Sequence, residues 1–319
     1  MMAILISGDF KSSERGMFED LLKGQGLIFD DEVTPVTELG DVRVALMTSW
    51  RRLEPLLPRI PGLEMIQCFF AGADRINFSK MPLGIAICTA SGAMASSVAE
   101  HAIALLLSLG RNLKLHQQML GSGKFSQLDP LNSEMGGKRI GIIGYGSIGM
   151  EIGRLSKALG LEVWALNSSG SSDADHTYTL KGLDILLRHS NYVIVSIPLN
   201  KHTFNLIDRG RLKTMRGDAI LVNISRGNVI NEKDLYEHLR DNPRFKAGLD
   251  VWWHYPREND RWKQKYPFEQ LPNVALTPHN AAIVPGWKDR TIRFCCTNMI
   301  NYLKKENIKN KVKREDYLM

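Results

Sequence analysis

The chain has 319 residues, 44% apolar and 24% charged, which suits a globular protein with two cored domains rather than a disordered or fibrous one. No apolar run reaches the roughly eighteen residues that cross a bilayer, and MMAILISGDF, with no cationic stretch ahead of its apolar one, reads as a first strand and not a signal peptide. The formal charge of +7 is scattered except near the tail, at KKENIKNKVKRE, so no nucleic-acid or membrane partner is expected, and a basic surface suits an anionic small substrate.

In chain order, candidate strands stand at AILISG, VRVALMT, LEMIQCFF and GIAIC, and a long helix starts near Ser97 and runs through VAEHAIALLLSLGRNL. A loop of Gly, Ser, Asp and Pro over 121–137 follows, and then a second strand series: KRIGIIG, EVWAL, NYVIVSIP, AILVNIS, KAGLDVW and NVALTP. From Trp287 to about Lys304 the pattern is helical again. Short β-branched runs alternating with amphipathic stretches predict α/β architecture with parallel sheets. The cysteines, Cys68, Cys88, Cys295 and Cys296, lack CxxC or finger spacing, so no metal site is expected, and they read as reduced thiols of a cytoplasmic protein.

GIIGYGSIG (141–149) sets Gly144-x-Gly146-x-x-Gly149 between an apolar strand and a helix. In that setting the first glycine allows the turn, the second lets backbone N–H groups approach a pyrophosphate, and the third lets helix and strand pack closely. The next strand ends at Asn167-Ser168-Ser169-Gly170, where a carboxylate normally takes the adenosine ribose hydroxyls. Asn167 can bond a ribose hydroxyl without repelling a 2′-phosphate, and Ser168 and Ser169 can donate to one, so this strand end favours NADP over NAD.

Three further segments fall at strand ends of the second series: NISRGNVIN (223–231), GLDVWWHYP (248–256) and LTPHN (276–280). Ligands of open α/β sheets bind outside the carboxyl ends of the strands, so the three are expected to converge.

Together with VAEHAIALLLSLGR (98–111) and SIPLNKHTFNLI (196–207), these motifs resemble the D-isomer-specific 2-hydroxyacid dehydrogenases over nearly the whole chain. The resemblance implies a Rossmann dinucleotide-binding domain inserted into a flavodoxin-like substrate domain, usually in a homodimer. The expected divisions are 1–100 and 282–319 for the substrate domain and 101–281 for the NAD(P)-binding domain. It further implies that Arg226 binds the substrate carboxylate and polarises its carbonyl, that His279 is the general acid, and that Asp250 holds the nicotinamide carboxamide. The cofactor-lining positions it implies are Gly144, Gly146, Ser147, Ile148, Gly149, Ile197, Pro198, Thr203, Ile224 and Ser225 besides Asn167, Ser168 and Ser169. Ala71 and Gly72, in CFFAGADRI, match the loop whose amides bind the carboxylate, and Trp50 is a candidate wall of the substrate pocket.

The residue types suit the chemistry. Hydride reaching a carbonyl carbon leaves charge on oxygen, which a guanidinium stabilises and an imidazolium protonates. Arginine also meets a carboxylate through two parallel N–H groups and keeps its charge. The expected reaction is therefore NAD(P)H-dependent reduction of a small 2-keto acid, such as glyoxylate or hydroxypyruvate, and its reverse.

The chain departs from the family at one place. Relatives usually carry a glutamate five residues after the anchoring aspartate, or glutamine in formate dehydrogenases, whereas Tyr255 stands here before Pro256. Tyr255 either packs or takes part in the site, and Glu258 and Asp260 are alternative acids. Two other functions stay open on this ground: formate-type anion oxidation without a general acid, and a non-catalytic, dinucleotide-sensing partner protein like the related corepressors.

Overall fold

A computed structural model of the chain describes residues 2–34, 36–256 and 260–318. The first segment contains β1 (Ala3–Ser7), α1 (Ser12–Leu21), β2 (Gly26–Phe29), β3 (Val42–Met47), α2 (Trp50–Leu53), β4 (Met65–Cys68) and β5 (Ala86–Cys88). Next come α3 (Ala95–Gly110), α4 (Leu113–Gly121), β6 (Arg139–Ile143), α5 (Ser147–Ala158), β7 (Glu162–Leu166), β8 (His176–Tyr178), α6 (Leu183–His189) and β9 (Tyr192–Val195). After these stand α7 (Arg209–Thr214), β10 (Ile220–Asn223), α8 (Glu232–Asp241), β11 (Lys246–Leu249), β12 (Val274–Leu276) and α9 (Trp287–Leu303).

The chain divides into two compact units. Unit 1 comprises Met1–Met94 and Val284–Met319, and unit 2, Ala95–Ile283, is inserted in its sequence. Unit 1 holds a parallel five-stranded sheet in the order β2-β1-β3-β4-β5, the flavodoxin-like order. Its strands are continuous apolar runs because both faces are covered. One face packs Leu5, Ala45 and Ile66 with Trp50 and Phe78. The other packs Ile4, Ile6 and Val44 with Phe18 of α1 and Ile292, Cys295 and Met299 of α9. All four cysteines are free and buried, and burial pushes the thiols of Cys68 and Cys296 up to about 12.

Unit 2 holds a parallel seven-stranded sheet in the order β12-β11-β10-β9-β6-β7-β8. Counted from β6, this is the Rossmann order extended by one strand, with the reversal of order between β6 and β9. Two strands absent from the expected series, β2 and β8, are edge strands of four and three residues. Each is paired on one side only; β2 (GLIF) is a brief run set between glycines and acidic residues, and β8 (HTY) has no apolar run, so neither stands out by periodicity. The long helix begins at Ala95, two residues ahead of the expected start. Among the described residues no helix is long and apolar enough to cross a membrane.

Candidate functional site

At the point where the strand order reverses, β6 leads into Gly144. Its φ of +99° lies in the left-handed region, and an added Cβ there would stand 2.7 Å from the Ile197 backbone nitrogen. Only glycine allows both the turn and the approach of the two strand ends. A Cβ on Gly149 would lie 2.2 Å from the Gly144 carbonyl oxygen, so glycine is what lets α5 sit on the turn. Gly146, the N-cap of α5, behaves differently: it is exposed, and a Cβ there would meet nothing within 4 Å. The backbone is therefore open where the N–H groups of a twelve-residue helix begin, with Ser147 exposed and Ile148 half-buried in the first turn. That cradle fits an anionic pyrophosphate. Beside it, Ser196 donates its hydroxyl to the Gly144 carbonyl at 2.6 Å, and half-buried Ile197 leads to exposed Pro198. Thr203 is buried; its hydroxyl donates to the Pro198 carbonyl at 2.7 Å and accepts the Asn200 N–H at 2.9 Å.

The tip of β7 is a preformed polar loop. The Asn167 side-chain oxygen accepts the Gly170 N–H at 2.7 Å and the Ser169 hydroxyl at 3.1 Å, and its amide donates to the Ser171 carbonyl at 2.9 Å. Ser168 and Ser169 are exposed. Asn167 thus shapes the loop as well as standing at its edge.

β10 ends in the fully buried Asn223, which organises the segment after it. Its side-chain oxygen accepts the Ser225 N–H at 3.0 Å and hydroxyl at 2.9 Å, while its amide donates to the Arg226 carbonyl at 2.9 Å. Ile224 and Ser225 are buried beneath, and half-buried Arg226 donates one guanidinium N–H to the Ser225 carbonyl at 2.8 Å. Gly227 then presses on the next strand end: a Cβ there would be 2.4 Å from the Trp252 carbonyl carbon.

Asp250 follows β11 and is only 1% exposed. One carboxylate oxygen accepts the Thr277 hydroxyl at 2.7 Å and the Asn280 N–H at 3.1 Å; the other accepts the Ala281 N–H at 3.3 Å. These bonds span the turn that carries His279, which is exposed and has a left-handed φ of +59°. Such a conformation is uncommon for a residue with a side chain and needs outside contacts to hold it. The Tyr255 ring lies against His279 with centroids 5.4 Å apart, and its hydroxyl accepts the Trp252 N–H at 3.2 Å. Trp252 donates its indole N–H to the Thr277 carbonyl at 3.0 Å, and Trp253 donates to the Ile230 carbonyl at 2.7 Å while stacking on Phe268. Asp260 is exposed, and Glu258 lies outside the described residues.

The remaining expected site residues belong to unit 1. Trp50 opens α2 and is packed in that unit's core, 7% exposed, while exposed Ala71 and half-buried Gly72 follow β4.

Three residues with structural roles in this site had no role assigned from sequence: Asn223, Thr277 and His101. Asn223 and Thr277 stand inside the quoted motifs; a small polar residue at a strand end signals a side chain that turns back on its own loop, as that of Asn223 does, whereas the Thr277 hydroxyl reaches Asp250 after the neighbouring strand. His101 lies on α3, and its Nε2 is 2.9 Å from the Thr277 hydroxyl and 3.5 Å from Asp250. The signal available for it was a histidine, next to Glu100, in an otherwise apolar helix stretch.

A family model described as D-isomer specific 2-hydroxyacid dehydrogenase, NAD binding domain, matches residues 103–281, nearly all of unit 2. The glyoxylate reductase of Pyrococcus furiosus is 29% identical over 270 residues, spanning 82% of this chain and 79% of that protein. The hydroxypyruvate reductase of Thermotoga maritima is 32% identical over 222 residues, spanning 69% of this chain and 71% of that one. Among solved structures, a candidate formate dehydrogenase from Pyrobaculum aerophilum matches with a TM-score of 0.85 at 25% identity, covering 99% of this chain and 100% of that one. A glycine-cradled helix N-terminus at the reversal of a parallel sheet, matched by this family model, makes the chain a member of the D-isomer specific 2-hydroxyacid dehydrogenases, NAD(P)-dependent oxidoreductases.

Proposed function

We propose that the protein reduces a small 2-keto acid, of the size of glyoxylate or hydroxypyruvate, to the D-2-hydroxy acid, and catalyses the reverse oxidation. The observation that carries this reading is the joining of three strand ends. Gly227 brings the Arg226 loop onto Trp252, and Asp250 fixes the turn of His279. In this reading Arg226 holds the substrate carboxylate and stabilises the charge that develops on the carbonyl oxygen, and His279 gives that oxygen its proton. When bound, the dinucleotide supplies the hydride.

Unit 2 is assigned to the cofactor and unit 1 to the substrate. Gly144, Gly146, Ser147, Ile148 and Gly149 would take the pyrophosphate, and Asn167, Ser168 and Ser169 the adenosine ribose. Ile197, Pro198, Thr203, Ile224 and Ser225 would line the nucleotide, with Asp250 at the carboxamide. Asp250 can take that part beside its turn-holding bonds, because one carboxylate oxygen accepts a single N–H. The Ala71 and Gly72 amides are proposed as further carboxylate donors, Trp50 as a determinant of the pocket, and Tyr255 as the neighbour of the acid. The absence of a carboxylate at the tip of β7 supports use of NADPH ahead of NADH. A homodimer is proposed as well, supported by the exposed apolar side chains of Leu113, Leu120, Phe125, Leu128 and Leu131 on α4 and the segment after it; sedimentation of the purified protein tests it.

The deciding experiment is turnover of the purified protein with glyoxylate and hydroxypyruvate, each with NADPH and NADH. Saturable oxidation of either cofactor is expected. A parallel arm with formate and oxidised cofactor covers the likeness to the Pyrobaculum protein, and turnover there alone would replace the proposal. Tight cofactor binding without turnover in any arm would favour the non-catalytic sensor.

A further inference from the structure

We propose that His101 is a positioning residue for the reaction: through Thr277 and Asp250 it holds the turn that presents His279. The proposal rests on the reductase reading above. It starts from a match of periods. His101, Leu105 and Leu109 recur every four residues on α3, and Asp250, Gly248 and Lys246 recur every two along β11 and its end. Four helical residues rise about 6 Å and two strand residues about 6.6 Å, so the two rows stay in step. They run in opposite directions. Lys246 donates its ammonium to the Leu109 carbonyl at 2.9 Å at one end, and His101 reaches Thr277 and Asp250 at the other. Between them Gly248 leaves room for the helix: a Cβ there would stand 3.1 Å from that of Leu105 and 3.4 Å from Leu109. The strand thus fixes both the height and the facing of His101.

The direction of the hydrogen bonds follows from counting protons. Thr277 has one hydroxyl proton and gives it to the Asp250 carboxylate at 2.7 Å. Its oxygen can then only accept from His101, so His101 carries a proton on Nε2. The chain runs from imidazole N–H to hydroxyl to carboxylate, and the same carboxylate accepts the N–H groups of Asn280 and Ala281 directly after His279. The left-handed backbone of His279 is held by these bonds. Without a donor from His101, the hydroxyl and the nearly buried carboxylate lose one fixed direction, and the turn gains freedom where the acid must be aimed within a fraction of an ångström.

The test uses the full-length protein and two readouts, one of which needs no turnover. Hydrogen exchange at the Asn280 and Ala281 amides is compared in wild type, His101→Leu, His101→Gln, Thr277→Val and the double variant His101→Leu/Thr277→Val. Keto-acid reduction is measured in the same set. Loss of a hydrogen bond to a charged network predicts that His101→Leu speeds exchange at these two amides about tenfold and lowers kcat by a similar factor. KM should move less than about threefold, since the acid and not the substrate clamp is disturbed. His101→Gln, whose amide N–H can donate from the same distance, should restore both, and the double variant should be no worse than Thr277→Val alone. Unchanged exchange in His101→Leu, failure of His101→Gln to restore it, or faster exchange throughout unit 2 would overturn the proposal. A wild type that turns nothing over while its exchange still responds as expected would defeat the reductase reading and leave the positioning supported.

Discussion

The ring of Tyr255 and the imidazole of His279 meet at 5.4 Å between centroids, tilted by 45°, while the Tyr255 hydroxyl accepts the backbone N–H of Trp252. The phenol thus has two jobs that substitution can separate. Tyr255→Phe keeps the ring contact and loses the acceptor for the Trp252 N–H, a backbone bond that does not involve the imidazole, so the alkaline limb of the reductase pH profile should stay in place. Tyr255→Glu sets a carboxylate at a position beside the imidazole, which favours the protonated form. Its alkaline limb should therefore move to higher pH, because reduction needs the proton on His279. Profiles of kcat/KM, taken where hydride transfer limits the rate, check this. A limb that shifts in Tyr255→Phe, or stays still in Tyr255→Glu, would contradict this account of Tyr255.

Arg226→Lys keeps a positive charge but loses the pair of parallel N–H groups that fits a carboxylate. We expect kcat/KM for the keto acid to fall by at least roughly tenfold, about 1.4 kcal/mol, with cofactor affinity nearly unchanged. Titration of cofactor binding beside the kinetics separates the two effects. Near-normal turnover would remove Arg226 from the substrate.

Asn167→Asp retains the acceptor for the Gly170 N–H, so the loop keeps its principal bond, but it adds a negative charge at the tip of β7. The NADPH to NADH ratio of kcat/KM should fall several-fold, since only the 2′-phosphate meets a new repulsion. Equal losses with both cofactors would mean that the change acts through the loop, whose Asn167–Ser171 bond is lost as well.

The Glu14 carboxylate, nine-tenths buried, accepts the Lys11 N–H at 2.8 Å and pairs with Lys288 of α9 at 2.8 Å. Burial alone would raise its pKa, but the Lys288 ammonium and the Lys11 amide outweigh burial and hold it below the ordinary value. A carboxyl depressed on folding stabilises the protein above its unfolded pKa of about 4.3, and that contribution disappears as pH falls through the lower folded pKa. Glu14→Gln should therefore melt below wild type at neutral pH, and the gap should close between about pH 5 and pH 3. Thermal melts across that range check it; a gap independent of pH would assign the effect to packing.

Much of this protein was written in its local sequence. Strands buried on both faces must be apolar throughout, so most strands of both sheets stood out as runs, and the glycine spacing after β6 named the cofactor class because steric demand at Gly144 and Gly149 excludes other residues. The edge strands β2 and β8 had to be seen in their pairing, β2 because its apolar run is brief and β8 because it has none. The burial of Trp50 could not be read from its neighbours either, because nothing local distinguishes a buried indole from an exposed one. Tertiary structure alone decided which partners Asp250 holds: a carboxylate after a strand can face solvent or a turn, and only the folding of 277–281 over it supplies the Thr277 hydroxyl and the two amides. The same holds for His101, which stands 149 residues before Asp250 in the chain. They approach because a helix rising every four residues and a strand rising every two keep the same step across one sheet face, a match that no local window of sequence contains.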